Sequence, residues 1–258
     1  MIRKIGSING LILGIISIFG AFYLEGGSLK ALFLFAPLLV VFGGTFAAAI
    51  IGFGFEKFGN MFKLIRLAYF PRSYNLNRLI DTFFDLSVKA RREGLLALEK
   101  DLEKLEYPFA RKLLRFAIDG TSVDSLEVMA NLEISSLQER HYSNVFLFSK
   151  MGGYAPTMGI LGTVMALIAT LANAGKDPDM LIKGIATAFI ATLWGVLSAN
   201  LLWLPIGDKL KKCHLEEKHM MEMSLEGAIA LQNGEIPMIL KARLAGMLPQ
   251  KEQLKIAL

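Results

Sequence analysis

Residues Met151 to Val164 read M-G-G-Y-A-P-T-M-G-I-L-G-T-V and open a stretch without Asp, Glu, Lys or Arg that continues to Gly175. A helix crosses a bilayer in roughly 20 residues at about 1.5 Å each, so this stretch is long enough to span. A proline and threonines then fall at membrane depth. No water is available there to satisfy a freed carbonyl, and a proline persists only where neighbouring helices, hydroxyls or bound water compensate. Polar groups at such depth are functional candidates, and the stretch reads as part of an ion pathway rather than a plain anchor.

Three more runs lack charged residues: Ile5 to Leu24, Ala31 to Phe55 and Gly184 to Gly207. The 258-residue chain is 53% hydrophobic and only 20% charged, with a mean hydropathy of +0.47, outside the usual range of soluble domains. Packing four such runs as buried core helices would require each to be apolar all round within one small protein, which is the weaker reading. The expected fold is an all-α polytopic membrane protein with four transmembrane helices and a helical cytoplasmic domain between spans two and three. Met1-Ile-Arg-Lys4 before an apolar run also suggests a signal peptide, but no A-x-A site follows and a second span begins soon after.

Basic residues set the orientation. Arg3 and Lys4 precede the first run, many more fill 57–150, and Lys209, Lys211 and Lys212 follow the fourth. The positive-inside rule makes these regions cytoplasmic, with both termini inside and short outer loops at Glu25–Lys30 and 176–183. The organisation read from sequence is 1–55 for spans one and two, 56–150 for the inner domain, 151–207 for spans three and four, and 208–258 for a cytoplasmic tail.

A net charge of +5 could point to nucleic acid, but Asp81, Asp85, Glu93, Glu99, Asp101, Glu103 and Glu106 interleave with the inner bases. No single-sign stripe is left to track phosphates. Cys213 is the one cysteine, and with His214 and His219 it makes no spaced metal-ligand set. No G-x-x-x-x-G-K-[ST], H-E-x-x-H or G-x-S-x-G pattern occurs, so neither an enzyme nor a bound cofactor is expected.

The inner domain reads as helical. Leu79, Phe83 and Leu86, then Leu95, Leu98, Leu102 and Leu105, recur at helical intervals. Gly94 interrupts one run, Pro108 marks a boundary, Asp119-Gly120 ends another helix, and Thr121-Ser-Val-Asp124 suits a capping box. Beyond the fourth run, Asp208 to Gln232 is amphipathic, stopped by Gly234 and Pro237, with a shorter helix to Leu248-Pro249. Its apolar spacing favours packing on the inner domain over lying on the membrane.

The four uncharged runs contain no carboxylate, although a cation entering a bilayer needs one to offset lost hydration. Glu25 sits at an outer edge and Asp177 and Asp179 in an outer loop, so another subunit has to supply the charge. This chain can supply the lining. Pro156, Thr163 and Thr170 are spaced by seven, which returns them to within about 20° of one direction, and Ala188, Thr192, Gly195 and Ala199 make a small-residue face on span four. The competing reading of each threonine is a hydrogen bond to its own i−4 carbonyl.

These patterns resemble the MotA/PomA family of flagellar stator subunits over nearly the whole length. The resemblance rests on A-P-x-x-G-x-x-G-T-V at Ala155–Val164, on A-T-L-W-G at Ala191–Gly195 followed by Leu204-Pro205 and Lys209-Leu210, on the Ala90–Glu99 segment, and on the spacing of Glu226-Gly227, Gly234, Pro237 and Pro249. The related ExbB and TolQ energisers share the first pattern, but they carry one span before the cytoplasmic domain where this chain has two.

The resemblance implies a stator of the bacterial inner membrane that turns ion flow into torque. It implies a homopentamer around two single-span MotB- or PomB-like partners that carry the ion-binding aspartate, and contact with the rotor protein FliG. It assigns ion-path lining to Thr163 and Thr192, extended here to Thr170 and Ala188, conformational coupling to Pro156 and Pro205, and rotor contact to Arg91 and Glu99, with Arg92 sharing that surface. The prolines read equally as hinges or fixed kinks. Threonine after Gly162 resembles the sodium-type PomA-like proteins, so sodium is the expected cation, with transient binding near Thr163 and Thr192 and the proton as the alternative.

Overall fold

The computed structural model describes residues 2–172 and 178–253; Asp177 and the end of the third uncharged run lie outside them. Helices and the turns between them account for the described residues, with no strand among them. Among the described residues three helical stretches are long and apolar enough to cross a membrane: Phe35–Phe53, Val123–Leu171 and Asp179–Gln232. The first helix, Ile2–Leu24, has a 17-residue apolar part, Ile8–Leu24, at the short end of what a bilayer requires.

The second uncharged run is not helical from Ala31, as the sequence suggested. A 3₁₀ turn occupies Leu29–Leu32, and the helix starts at Phe35. Pro37 thereby falls in the first turn, where its missing N–H would have had no partner anyway. A π-helical turn spans Leu39–Gly43 within the same helix.

The third and fourth runs continue far beyond membrane length. Val123–Leu171 is one helix of 49 residues containing Pro156. Pro178–Ser198 leads through a π turn at Ala199–Trp203 into Leu204–Gln232. Pro205 cannot donate to the carbonyl four residues back and its ring crowds it, and the wide turn just ahead relieves that conflict without ending the helix.

Two compact units result: Met1–Arg72 with His141–Cys213, and Ser73–Arg140 with His214–Leu258. The boundaries read from sequence at 150/151 and 207/208 therefore fall inside continuous helices. In the second unit the tail shares a core with the inner segment, burying Phe83, Leu113, Leu126, Met223, Leu240 and Leu244 together. Gly227 lacks a side chain where the Phe83 ring lies: a Cβ would come 2.8 Å from it. Gly120 and Gly234, at φ +83° and +66°, close their helices in Schellman geometry, with Thr121 N–H bonding Phe116 O at 3.0 Å and Glu235 N–H bonding Ala230 O at 3.0 Å. The cap after Gly120 is Ser122, whose Oγ accepts from Ser125 N–H at 3.3 Å, and not Thr121.

In the first unit Leu147, Phe148, Met151, Ala155, Ala199 and Trp203 form the core. Phe46 lies between the rings of Trp203 and Phe58, at centroid distances of 5.9 and 5.4 Å, and this stacks the Phe35–Phe53 helix on its neighbours.

Candidate functional site

The Val123–Leu171 and Pro178–Ser198 helices meet along a seam set by glycine. A Cβ on Gly195 would lie 2.8 Å from Ala155 O, 3.1 Å from Gly159 Cα and 3.3 Å from Pro156 Cα. A Cβ on Gly159 would lie 2.9 Å from Ala191 O. Backbone therefore touches backbone here, the close approach that small residues allow in membranes.

One turn along the seam, Thr163 meets Thr192, with hydroxyl oxygens 2.5 Å apart. Thr163 Oγ1 also lies 3.0 Å from Gly159 O and 3.0 Å from Ala188 O. Each hydroxyl carries one proton, so one donates to the other and the second donates to a carbonyl. The single Thr163 proton lies equally near the i−4 carbonyl of Gly159 and the Ala188 carbonyl across the helices. Both side chains are only partly buried.

Ala188 is buried and takes part through its carbonyl. Thr170 ends the seam differently: it is buried, its hydroxyl donates to Ala166 O at 2.7 Å, and a Cβ on Gly184 would overlap it. Pro156 sits at the Gly195 crossing, while Pro205 follows the π turn and lines a separate cavity described below. The two faces read from sequence are brought together in one packed contact.

Arg91, Arg92 and Glu99 are exposed in the second unit, at the end of Leu76–Glu93 and the start of Glu99–Leu102. Beside them Lys89 Nζ lies 2.7 Å from Asp101 Oδ2. The hydrogen bond from Lys89 holds the Asp101 carboxyl below its ordinary range, and the same bond holds Lys89 above its own.

Gly159 and Trp194 were not assigned roles from sequence. Trp194 Nε1 donates to Leu32 O at 2.7 Å, and its ring packs on Phe33 and Phe42 at 5.3 and 6.2 Å. Gly159 was visible as the first glycine of G-x-x-G-T, a small-residue signal. Nothing local in the sequence joins Trp194 to Leu32.

Neutral hydroxyl and carbonyl oxygens suit a small hard cation but leave its charge uncompensated. Among the described residues no group of three His, Cys, Asp or Glu is set to hold a metal ion. Long apolar helices packed through glycine and hydroxyls define a helical membrane-embedded protein.

Residues 8–94 match the family model described as motility protein A N-terminal, and residues 101–223 match that of the MotA/TolQ/ExbB proton channel family. Motility protein A of Bacillus subtilis is 33% identical over 252 residues, 97% of this chain and 93% of that one. That of Aquifex aeolicus is 33% identical over 245 residues, covering 93% and 96%. The structure of the flagellar MotAB stator complex from Bacillus subtilis aligns at a TM-score of 0.90 and 33% identity, covering 97% of this chain and 98% of that one. The C. jejuni MotAB structure also aligns at 0.90, with 26% identity and coverage of 95% and 96%. The chain belongs to the motility protein A family.

Proposed function

We propose that this chain is the A-type subunit of a flagellar stator in the bacterial inner membrane. The observation that carries the proposal is the whole-length match to a MotAB stator structure. In this reading four helices span, both termini and the 56–150 segment are cytoplasmic, and the chain forms a homopentamer around a MotB- or PomB-like partner. The partner's aspartate supplies the charge that the four uncharged runs lack. A carboxylate at midspan costs about 2.5 to 3.5 kcal/mol against lipid, which favours enclosing it within a protein ring.

Ions pass where that aspartate faces Thr163 and Thr192, whose oxygens replace hydration waters. Sodium is the favoured cation because two hydroxyls converge with the Ala188 carbonyl; a proton needs only the carboxylate and remains the alternative. Neutralisation and release of the aspartate shift the packing at the Pro156 and Pro205 segments, and Arg91, Arg92 and Glu99 deliver that shift to FliG. Exposed ion pairs of about 0 to 1 kcal/mol suit a contact that forms and releases repeatedly. An ExbB- or TolQ-like role fits less well, because the N-terminal motility model covers both helices ahead of the inner domain.

The test is swimming by a stator-deletion strain complemented with this chain, its Arg91→Ala variant or its Thr163→Ala variant, with and without sodium. The expectation is sodium-dependent rescue that both substitutions reduce. Normal swimming by the uncomplemented deletion removes the stator reading, and rescue independent of sodium removes the sodium preference.

A further inference from the structure

A cavity of about 450 Å³ lies in the first unit, apart from the threonine pair. One wall is Gly6, Gly10 and Leu11 of the first helix. A Cβ on either glycine would meet no atom within 4 Å, so a groove runs along that helix where side chains would otherwise stand. The facing wall is Leu201, Pro205 and Ile206, and Ala68 and Tyr69 close one side. Directly after the apolar wall come Asp208, Lys209 and Lys212, which border the same cavity.

The cavity is therefore divided in the way an amphiphile is. Its apolar part belongs to the last turns of the fourth uncharged run, and its charged part to the first turn beyond it. Lys209 and Lys212 are three apart and share a helix face, and against Asp208 they leave one net positive charge on the rim. Lys63 and Arg66 add exposed bases on Met61–Tyr69, the short helix that supplies Tyr69. Basic pockets between spanning helices at the cytoplasmic boundary attract anionic headgroups.

We propose that this cavity binds an anionic phospholipid of the inner leaflet, its phosphate between Lys209 and Lys212 and its first methylenes along the Gly6–Gly10 groove. The proposal rests on the orientation given above, with this end of the helices cytoplasmic. A lipid seated there lies against Pro205, so headgroup composition reaches the segment assigned to coupling.

The experiment is native mass spectrometry of the full chain purified in mild detergent, titrated with phosphatidylglycerol or with phosphatidylcholine of the same chains. Wild type is expected to retain phosphatidylglycerol preferentially. The double variant Lys209→Gln/Lys212→Gln should bind it about 30-fold more weakly, the equivalent of about 2 kcal/mol at 1.4 kcal/mol per tenfold, with phosphatidylcholine unchanged. Gly10→Leu fills the groove while keeping every charge, and it should also displace the lipid. Millimolar inorganic phosphate should not compete.

Equal retention of the two lipids, unchanged binding by the double variant, or displacement by phosphate alone overturns the proposal. So does lipid held only by single chains and absent from the oligomer, because a second copy then covers the cavity. Release of the chain from membranes by alkaline carbonate fails the membrane reading itself. A chain that resists carbonate but shows no headgroup preference fails the lipid site alone.

Discussion

Replacing Gly195 by alanine adds one methyl where the seam has no room for it. Its Cβ would sit 2.8 Å from Ala155 O and 3.1 Å from Gly159 Cα, both backbone atoms that cannot rotate away. Ordinary contact begins near 3.4 Å, so the helices must part by about 0.6 Å. Overpacking of this kind costs about 1–3 kcal/mol. The same displacement carries Thr192, one turn away, from 2.5 Å toward about 3 Å from Thr163, the outer limit of a hydroxyl–hydroxyl bond. For a chain of this size each kcal/mol moves the melting midpoint by roughly 2–4 °C. Thermal unfolding of the purified chain and swimming of the complemented strain should therefore both fall. Gly153→Ala is the control, since no atom lies within 4 Å of a Cβ there. If Gly195→Ala melts and swims like Gly153→Ala, the backbone contact does not hold this seam and the reasoning fails.

Phe83 is 1% exposed and fills the space left by Gly227, so Phe83→Ala should destabilise the second unit by about 3–5 kcal/mol, visible as faster proteolysis between Gly94 and Pro108. Because Asp101 is held low by Lys89, its contribution is present above the ordinary aspartate range and is lost as pH falls through the depressed value; Lys89 is held high, so its part is lost only as pH rises past the ordinary lysine range. Melting of wild type should drop more than that of Asp101→Asn between about pH 7 and pH 3, and equal drops would show that the pair is unimportant. Purified alone in liposomes the chain should conduct no cation, and selective flux would mean that no companion carboxylate is needed.

Much of this was legible because it depends on local chemistry. Uncharged runs marked the apolar helices, and Gly94, Pro108, Asp119-Gly120 and Gly234 marked ends that backbone geometry enforces. Spacing placed Thr163 on one face of its helix and Thr192 on one face of the other, and the resemblance singled out these two, whose hydroxyls lie 2.5 Å apart. What escaped was set by distant partners or by glycines and a proline that do not end the helices they lie in. Gly152 and Gly153 follow Lys150, and Pro205 and Gly207 precede Asp208, yet neither helix stops there, and a change from apolar to charged side chains does not end a helix either. The start at Phe35 reflects Leu32 O bonding to Trp194, 162 residues away. The interleaving of the tail with the inner segment follows from contacts such as Phe83 against Gly227, which periodicity suggests only as a buried face.

The seam also constrains how an ion can use these helices. Its glycines bring backbone to backbone at Gly159 and Gly195, and Thr170 closes against Gly184, so the two helices are in direct contact at these points. The two hydroxyls bond each other, and the Thr163 proton is shared by the Ala188 and Gly159 carbonyls. The lone pairs that remain on both oxygens can ligate a cation without breaking these bonds, but they carry no net charge, so the attraction of a nearby carboxylate has to offset the lost hydration. Neutral oxygens at the edge of a tightly packed seam are therefore poor at capturing an ion unaided and well suited to sharing one with an acidic helix. In the proposed stator, that division of labour lets these helices stay charge-free and closely packed.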